Sequence, residues 1–355
     1  EIKECDWSSD VCSSDLAASL PPLAYHTTTL LSSGTTLLAF AGRSQTTISS
    51  VTVTNSIYTL DLDNSTATWQ AANLTTRPPA RYAHTVFLCP SASADDELYI
   101  YGGYGTNLAL SDLWKLNWPS QTWTQHTPAS GATAPPALLG HSFLRSTSIP
   151  NAAYLFAGQN TYAAPTRTLY SLTLPVTTTP VWVTKATPST SMGKRMYHAA
   201  AMYTTTADGL EYMYVFGGQN PLTNDVYSDL WRYAITANTW SQVTGITSPQ
   251  NGTETLLGRY LHSAAVIADR IFYYGGYSST YPHVLTQPVE YDATLNAFLY
   301  TSTYPDATNH PERYAASITY SSTTNYSYVL GGCGTYYYYN TLYKTDYYRP
   351  SCSAG

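Results

Sequence analysis

Two kinds of side chain that could do chemistry recur at regular intervals along this 355-residue chain. His26, His84, His141, His198 and His262 are spaced 58, 57, 57 and 64 residues apart. Arg81, Arg195 and Arg259 stand three residues before three of these histidines, and Arg313 opens a further segment of the same kind. Imidazoles and guanidiniums repeated around an axis would form a ring able to hold an anion or a carboxylate. The same repetition suits hydrogen bonding to the backbone of neighbouring units. That second reading is favoured, because function rarely recurs in every unit while packing must. The other set is aromatic: Tyr104, Tyr162, Tyr277, Tyr281 and the run Tyr336, Tyr337, Tyr338 and Tyr339. In loops, tyrosines offer large rigid faces with polar tips, suited to a protein or glycan surface. There is no Gly-x-Ser-x-Gly, no His-Glu-x-x-His, no phosphate-cradling glycine loop and no Cys-x-x-Cys, so no cofactor and no metal are expected.

The elements that position these residues are legible from a second periodicity. Six near-extended aromatic runs end in a glycine pair or an Ala-Gly variant. They are Leu38–Gly42, Tyr99–Gly103, Tyr154–Gly158, Tyr214–Gly218, Phe272–Gly276 and Tyr328–Gly332, and their last glycines lie 61, 55, 60, 58 and 56 residues apart. A recurring period of this size marks a repeat architecture. Each run is followed by a short alternating segment, such as Ser111–Leu116 or Ser228–Tyr233, and then by a tryptophan after a polar turn. These are Trp69, Trp123, Trp182 and Trp240, with Phe298 in the fifth place. Alternation over four to six residues, with Gly, Pro, Asn and Asp between, is the strand signature. Four strands fit in each period, and no stretch has sustained helical spacing. The pattern predicts a radial array of six four-stranded antiparallel sheets. The pairs Gly102–Gly103, Gly217–Gly218, Gly275–Gly276 and Gly331–Gly332 are expected where backbones approach closely at positive φ. The indoles are expected to fill the wedges between sheets.

The order Arg-aromatic-x-His, aromatic-x-aromatic-Gly-Gly, Asp-Leu-Trp and Asn-Thr-Trp resembles the kelch repeat, most fully in Tyr99–Trp123 and Tyr214–Trp240. The resemblance covers Tyr25 to Tyr348. It implies an all-β, six-bladed kelch-type propeller over residues 17–355, with blades starting near residues 25, 81, 140, 195, 259 and 313. A monomeric, non-catalytic scaffold that binds a protein or glycan through loops on one face is the expectation. Tyr197-His198 is also similar to part of the copper site of galactose-oxidase-like radical enzymes, which are kelch-type propellers. A copper-radical oxidase, or another kelch-fold enzyme, is therefore the alternative, although Tyr-His recurs at Tyr25-His26 as a repeat feature.

Residues Asp6–Leu16 fit none of this and resemble a sequencing adapter translated in frame. Such segments are excluded from fold reasoning. The native N-terminus is then expected to be missing, with the strand that completes the last blade. Residues 1–16 hold five acids and one base, leaving 17 acids and 15 bases in the rest. That near-neutrality gives no case for nucleic acid, and no apolar run is long enough for a membrane span. A Thr- and Tyr-rich, Lys-poor surface reads as extracellular or cell-surface. Four sequons, at Asn64, Asn73, Asn251 and Asn325, fall in or beside expected turns. Cys89 ends an apolar run and is expected to be a buried small hydrophobe. A Cys333–Cys352 disulfide would pin the last strand if the Cα atoms lie within about 7 Å.

Overall fold

The computed structural model describes residues 20–345 apart from 48–49, 91–95, 119, 178, 248–255, 282, 286–287, 301–311 and 336. The adapter-like segment with Trp7, and also Cys352, Asn251 and Tyr336, lie outside the described residues. Those described form six antiparallel blade sheets and no helix. Blade 2 is representative: Thr85–Pro90, Asp96–Tyr101, Leu113–Asn117 and Thr122–His126 pair in sequence order. Blade 1 adds Leu23–Ala24, which pairs with the long second strand Thr36–Thr47. Blade 4 carries a small loop hairpin, Gln219–Asn220 with Asp225–Val226. Blade 6 has three strands among the described residues, Ser317–Ser321, Tyr326–Leu330 and Leu342–Thr345.

The first strand of each blade lies innermost, against the first strands of both neighbours, and blade 6 meets blade 1 in this way. At that seam Thr28 and Thr319 hydroxyls are 2.7 Å apart. The Leu23 N–H donates to the Tyr339 carbonyl, and Leu20 and Leu23 pack with Leu330 and Leu342. Residues 20–24 thus seal blade 1 to blade 6 along with the strands.

Neighbouring blades are latched by backbone. The last glycine of each run donates its N–H to a carbonyl of the next blade. Gly42 reaches Arg81, Gly103 reaches Leu138, Gly158 reaches Arg195, Gly218 reaches Arg259, Gly276 reaches Arg313 and Gly332 reaches Leu23, at 2.7–3.0 Å. The preceding glycine has to leave room for that carbonyl. A Cβ on Gly217 would lie 2.4 Å from the Arg259 oxygen, and one on Gly275 2.3 Å from that of Arg313. Both also take φ near +65°, where a side chain is strained. Ala41 and Ala157 adopt the same φ region in the two Ala-Gly blades.

The wedges fill as the period implies. Trp123 of blade 2 packs on Phe40 of blade 1, and Trp182 of blade 3 on Tyr101 of blade 2. Trp240 meets Phe156 and Phe298 meets Phe216 in the same register. Trp69, just ahead of the short strand Gln70–Ala71, is buried with Tyr328 and Leu330 of blade 6. Each large ring buries apolar area between two sheets, so adjacent blades are stabilised jointly.

Candidate functional site

Each innermost strand is preceded by a residue at φ between +53° and +61°: Tyr25, Ala83, Gly140, Tyr197, Leu261 and Ala315. Their backbones form a closed circle. Ala83 N–H donates to the Tyr25 carbonyl, Gly140 to Ala83, Tyr197 to Gly140, Leu261 to Tyr197, Ala315 to Leu261, and Tyr25 back to Ala315, at 2.7–3.0 Å. The circle surrounds the axis at the end carrying the glycine pairs. Tyr25 and Tyr197 come from opposite blades, and their rings meet with centroids 6.0 Å apart.

Below this circle the histidines line a cavity of about 250 Å³ on the axis. Four of the five imidazoles pair through Nε2 with a hydroxyl of the preceding blade: His26 with Ser317, His84 with Thr27, His141 with Thr85 and His198 with Ser142, at 2.7–3.0 Å. Burial holds all five imidazoles neutral. It pushes His26, His141 and His198 down to about 3, and His84 and His262 well below the usual value, with nearby Arg81 and Arg259 adding to the effect in those two.

The arginines are also committed internally. Arg81 and Arg195 are fully buried. Arg81 pairs with both carboxylate oxygens of Asp112 at 2.7 Å and donates to the Gly102 carbonyl. Arg195 does the same with Asp229 at 2.8 Å and with Gly217. Trp114 and Trp231 each hold the same carboxylate through the indole N–H. This is the physical content of the Asp-Leu-Trp run, which orients the acid that neutralises the buried arginine. Asp112 and Asp229 were not singled out from the sequence as Arg partners, although that motif was the signal. Arg259 donates to the Gly275 carbonyl, and Arg313 donates to that of Gly331 while stacking on Tyr339 and Tyr343. All four guanidiniums are inside the molecule, 0–3% exposed, and engaged at blade corners.

What faces outward on the glycine-pair end is aromatic. Tyr82 contacts Tyr25 and Tyr104, and across the axis Tyr277 contacts Tyr260, Tyr314 and a stacked His283. Arg43, which sequence reasoning missed, lies over Tyr82 at 5.3 Å and Tyr25 at 6.0 Å. It follows the first glycine run directly, where the other blades carry Tyr104, Gln159, Gln219, Tyr277 and Cys333. Among the described residues Arg43 makes no ion pair, so its charge rests on tyrosine faces.

The tyrosines expected in loops divide into two groups. Tyr104, Tyr277 and Tyr338 join the collar near the axis, and Tyr339 is half-buried under Arg313. Tyr162 and Tyr281 stand at loop tips, 87% and 85% exposed, and Tyr337 is also exposed. Tyr281 reaches the collar through His283. Cys333 is a free, buried thiol beside Tyr314 and Tyr338, and burial pushes it up to about 12. Cys89 is likewise buried in a strand. Of the copper-like pair, Tyr197 belongs to the axial circle and His198 Nε2 is bonded to Ser142. Among the described residues no group of three or more His, Cys, Asp or Glu converges as a metal site, and no helix is long and apolar enough to cross a membrane.

Comparison with known proteins gives the same architecture a family context. The profile of the KLHDC2/KLHL20/DRC7 Kelch-repeats domain matches residues 25–276. The chain is 26% identical over 269 residues to the leucine-zipper-like transcriptional regulator 1 homolog of Drosophila melanogaster, covering 73% of this chain and 25% of that protein. It is 29% identical over 213 residues to human host cell factor 2, covering 56% of this chain and 25% of that protein. With human Kelch domain-containing protein 3 it shares 26% identity over 272 residues, or 73% and 62% of the two chains. The chain thus spans about a quarter of the length of the first two relatives.

Proposed function

The chain belongs to the KLHDC2/KLHL20/DRC7 Kelch-repeats domain family, and from that premise we propose that it is a rigid, non-catalytic platform that binds a protein through the glycine-pair face. The observation that carries this reading is Arg43 lying on Tyr25 and Tyr82 at the centre of that face. Exposed Tyr162, Tyr281 and Tyr337 on the same set of loops support it. A cation held by aromatic faces and no carboxylate retains its attraction for an acidic group. Large exposed tyrosines supply the desolvating contacts that dominate interface energetics. The partner segment that fits is extended and carries an acidic side chain, with apolar or aromatic neighbours. The rigidity comes from beneath, since four histidines join neighbouring blades and the buried arginines are bonded within their own blades.

The test compares capture by the wild-type chain with capture by two variants, Arg43→Gln and the triple Tyr162→Ala, Tyr281→Ala, Tyr337→Ala. Tyr162, Tyr281 and Tyr337 are exposed loop residues, so the triple variant should melt like the wild type; Arg43 lies over Tyr82 of the next blade, so the melt of its variant is measured alongside binding. A directly bound protein should lose about 30-fold in affinity for a hot-spot change. An unchanged affinity in both variants would remove the face from consideration. Carbohydrate binding on a glycan array, lost in the triple variant, would replace the protein partner by a glycan.

A further inference from the structure

Blade 1 differs from the others beyond its glycine run. The second and third strands of blades 2–6 have four to six residues, whereas those of blade 1, Thr36–Thr47 and Ser50–Asp61, have 12 each. They stay paired past Gly42, from Arg43 opposite Val53 to Thr47 opposite Ser50. At about 3.4 Å per residue the hairpin rises roughly 17 Å above the glycine pairs. Long strand edges invite pairing with another chain, and proteins blunt them with charge, proline, bulges or a covering segment. The Thr36–Thr47 edge is treated in this way. Leu23–Ala24 lies along Ser44 and Arg43, and a register shift interrupts the ladder between Gln45 and Thr47. The Ser50–Asp61 edge is covered only at its base, where Gln70–Ala71 pairs with Thr59 and Tyr58 and Arg81 donates to the Thr54 carbonyl. Among the described residues nothing pairs with the outer side of Ser50–Val53. Residues Ser44 to Leu60 include no charged side chain, no Pro and no Gly, and Ser50, Val51 and Thr52 are exposed.

Hydrogen bonds at the closing seam fix which groups this edge presents. Leu23, opposite Ser44, uses its N–H on Tyr339 and its carbonyl on Gly332, both of blade 6. In an antiparallel ladder the direction of the backbone groups alternates residue by residue. Ser44 therefore turns to Thr52, while Arg43 and Gln45 turn the other way, and the Gln45 N–H reaches the Pro22 carbonyl at 3.4 Å. Val51 and Val53, opposite Gln45 and Arg43, accordingly direct their N–H and C=O groups outward along the free edge. Directly opposed residues share a face of the sheet, so the two valines lie on the face of Gln45 and Arg43. That face looks onto the aromatic collar: Gln45 Oε1 accepts the Tyr338 N–H, and Arg43 lies over Tyr25 and Tyr82. Tyr82 adjoins Arg81, which closes the edge at Thr54, so the guanidinium sits at the foot of the free edge.

We propose that the protein partner adds an extended segment to the Ser50–Val53 edge, as a further strand of this hairpin. The inference rests on the reading of the glycine-pair face as the protein-binding one. Val51 and Val53 supply the main-chain hydrogen bonds that give affinity in strand addition, and alternate side chains of the added strand give specificity. The segment residue beside Val53 lies two strand spacings, about 9.6 Å, from Arg43. A glutamate there and the arginine close that gap between them and form a charge-assisted pair. The residue two places along lies beside Val51, where an aliphatic or aromatic side chain packs. A second copy of this chain is the poorer occupant. Its matching edge offers only Ser, Val and Thr, so Arg43 would gain no carboxylate.

The probe is a displayed library of random dodecapeptides panned on the full chain, with the tightest binder then made as a free peptide. It should carry an acidic residue within an alternating run of β-branched or aromatic ones. On binding it, the amides of Val51 and Val53 should become protected from hydrogen exchange. Val51→Pro removes one outward N–H and leaves the bonds between Ser44 and Thr52, a place where an edge strand tolerates proline. It should weaken binding about ten-fold, whereas Val51→Thr should bind like the wild type. A library that yields no binder, unchanged exchange at both amides, or equal affinity in the wild type and Val51→Pro would overturn the proposal. The exchange measurement stands even if Val51→Pro fails to fold. If Arg43→Gln still lowers affinity when Val51→Pro does not, strand addition fails and the protein-binding reading of the face survives. If neither variant lowers it, that reading fails as well. Concentration-dependent dimers that Val51→Pro abolishes would give the edge to a second copy, and would also overturn the proposal.

Discussion

Mild acid should weaken this propeller through its axial histidines, before its carboxylates titrate. His26, His84, His141, His198 and His262 are buried and neutral, three of them pushed down to about 3 and two further below the usual value. In the unfolded chain each would titrate near 6.5. Between about pH 6.5 and 3 the unfolded state therefore binds more protons than the folded state, and stability falls as pH falls. The contribution is fully present above pH 6.5 and is lost progressively towards pH 3. At pH 5.5 each such histidine costs about 1.4 kcal/mol. Five together cost on the order of 7 kcal/mol, comparable with the whole stability of a typical domain of about 5–15 kcal/mol. With an unfolding entropy of about 2 cal/mol/K per residue, that corresponds to a fall in Tm of about 10 °C. Thermal melts at constant ionic strength between pH 7.5 and 5.5 measure it. His141→Gln should remove about a fifth of the pH dependence while lowering Tm at pH 7.5. A Tm that is flat across this window, or a slope unchanged by His141→Gln, would refute the reasoning.

Three further outcomes follow from the seams. Gly217→Ala drives a Cβ to 2.4 Å from the Arg259 carbonyl at φ +64° and should cost about 3 kcal/mol or more. Gly131→Ala, with nothing within 4 Å of its Cβ, should cost about 1 kcal/mol, so denaturant melts of the two variants should differ clearly. Arg81→Ala leaves the Asp112 carboxylate without its partner and should cost about 3–5 kcal/mol, whereas Lys115→Ala breaks a pair with Glu97 whose side chains are 19% and 14% exposed and should cost less, about 1–3 kcal/mol. The amides of Ala83, Tyr197, Leu261 and Ala315 should exchange only through global opening, since each is a link of the axial circle; exchange from any one of them at loop rates would show that the circle is open there.

Much of this architecture is written in residue types, and the missed parts have a common cause. The glycine pairs were legible because close approach and positive φ penalise a Cβ, so chemistry records geometry. The tryptophans were legible because only large rings fill a wedge between diverging sheets. The axial circle was not, because it is made of backbone. Tyr25, Ala83, Gly140, Tyr197, Leu261 and Ala315 have no side-chain property in common and share only a positive φ. The Ser/Thr–His joints were half legible: the histidines repeat visibly, but their partners are single hydroxyls 56–57 residues away, or 291 across the seam. Arg43 sits in one of the two blades with an Ala-Gly variant, and nothing in its local sequence says that Tyr82 lies beneath it. Its role comes from tertiary placement alone.

A cross-link at the closing seam tests the closed six-blade ring most directly. The Thr28 and Thr319 hydroxyls are 2.7 Å apart, close enough for the side chains of Thr28→Cys and Thr319→Cys to reach bonding distance with little movement. In the double variant, gentle oxidation should give an intramolecular disulfide in nearly every folded monomer and raise Tm. Two thiols that stay reduced, or that link only between molecules, would contradict a ring in which blade 6 lies against blade 1.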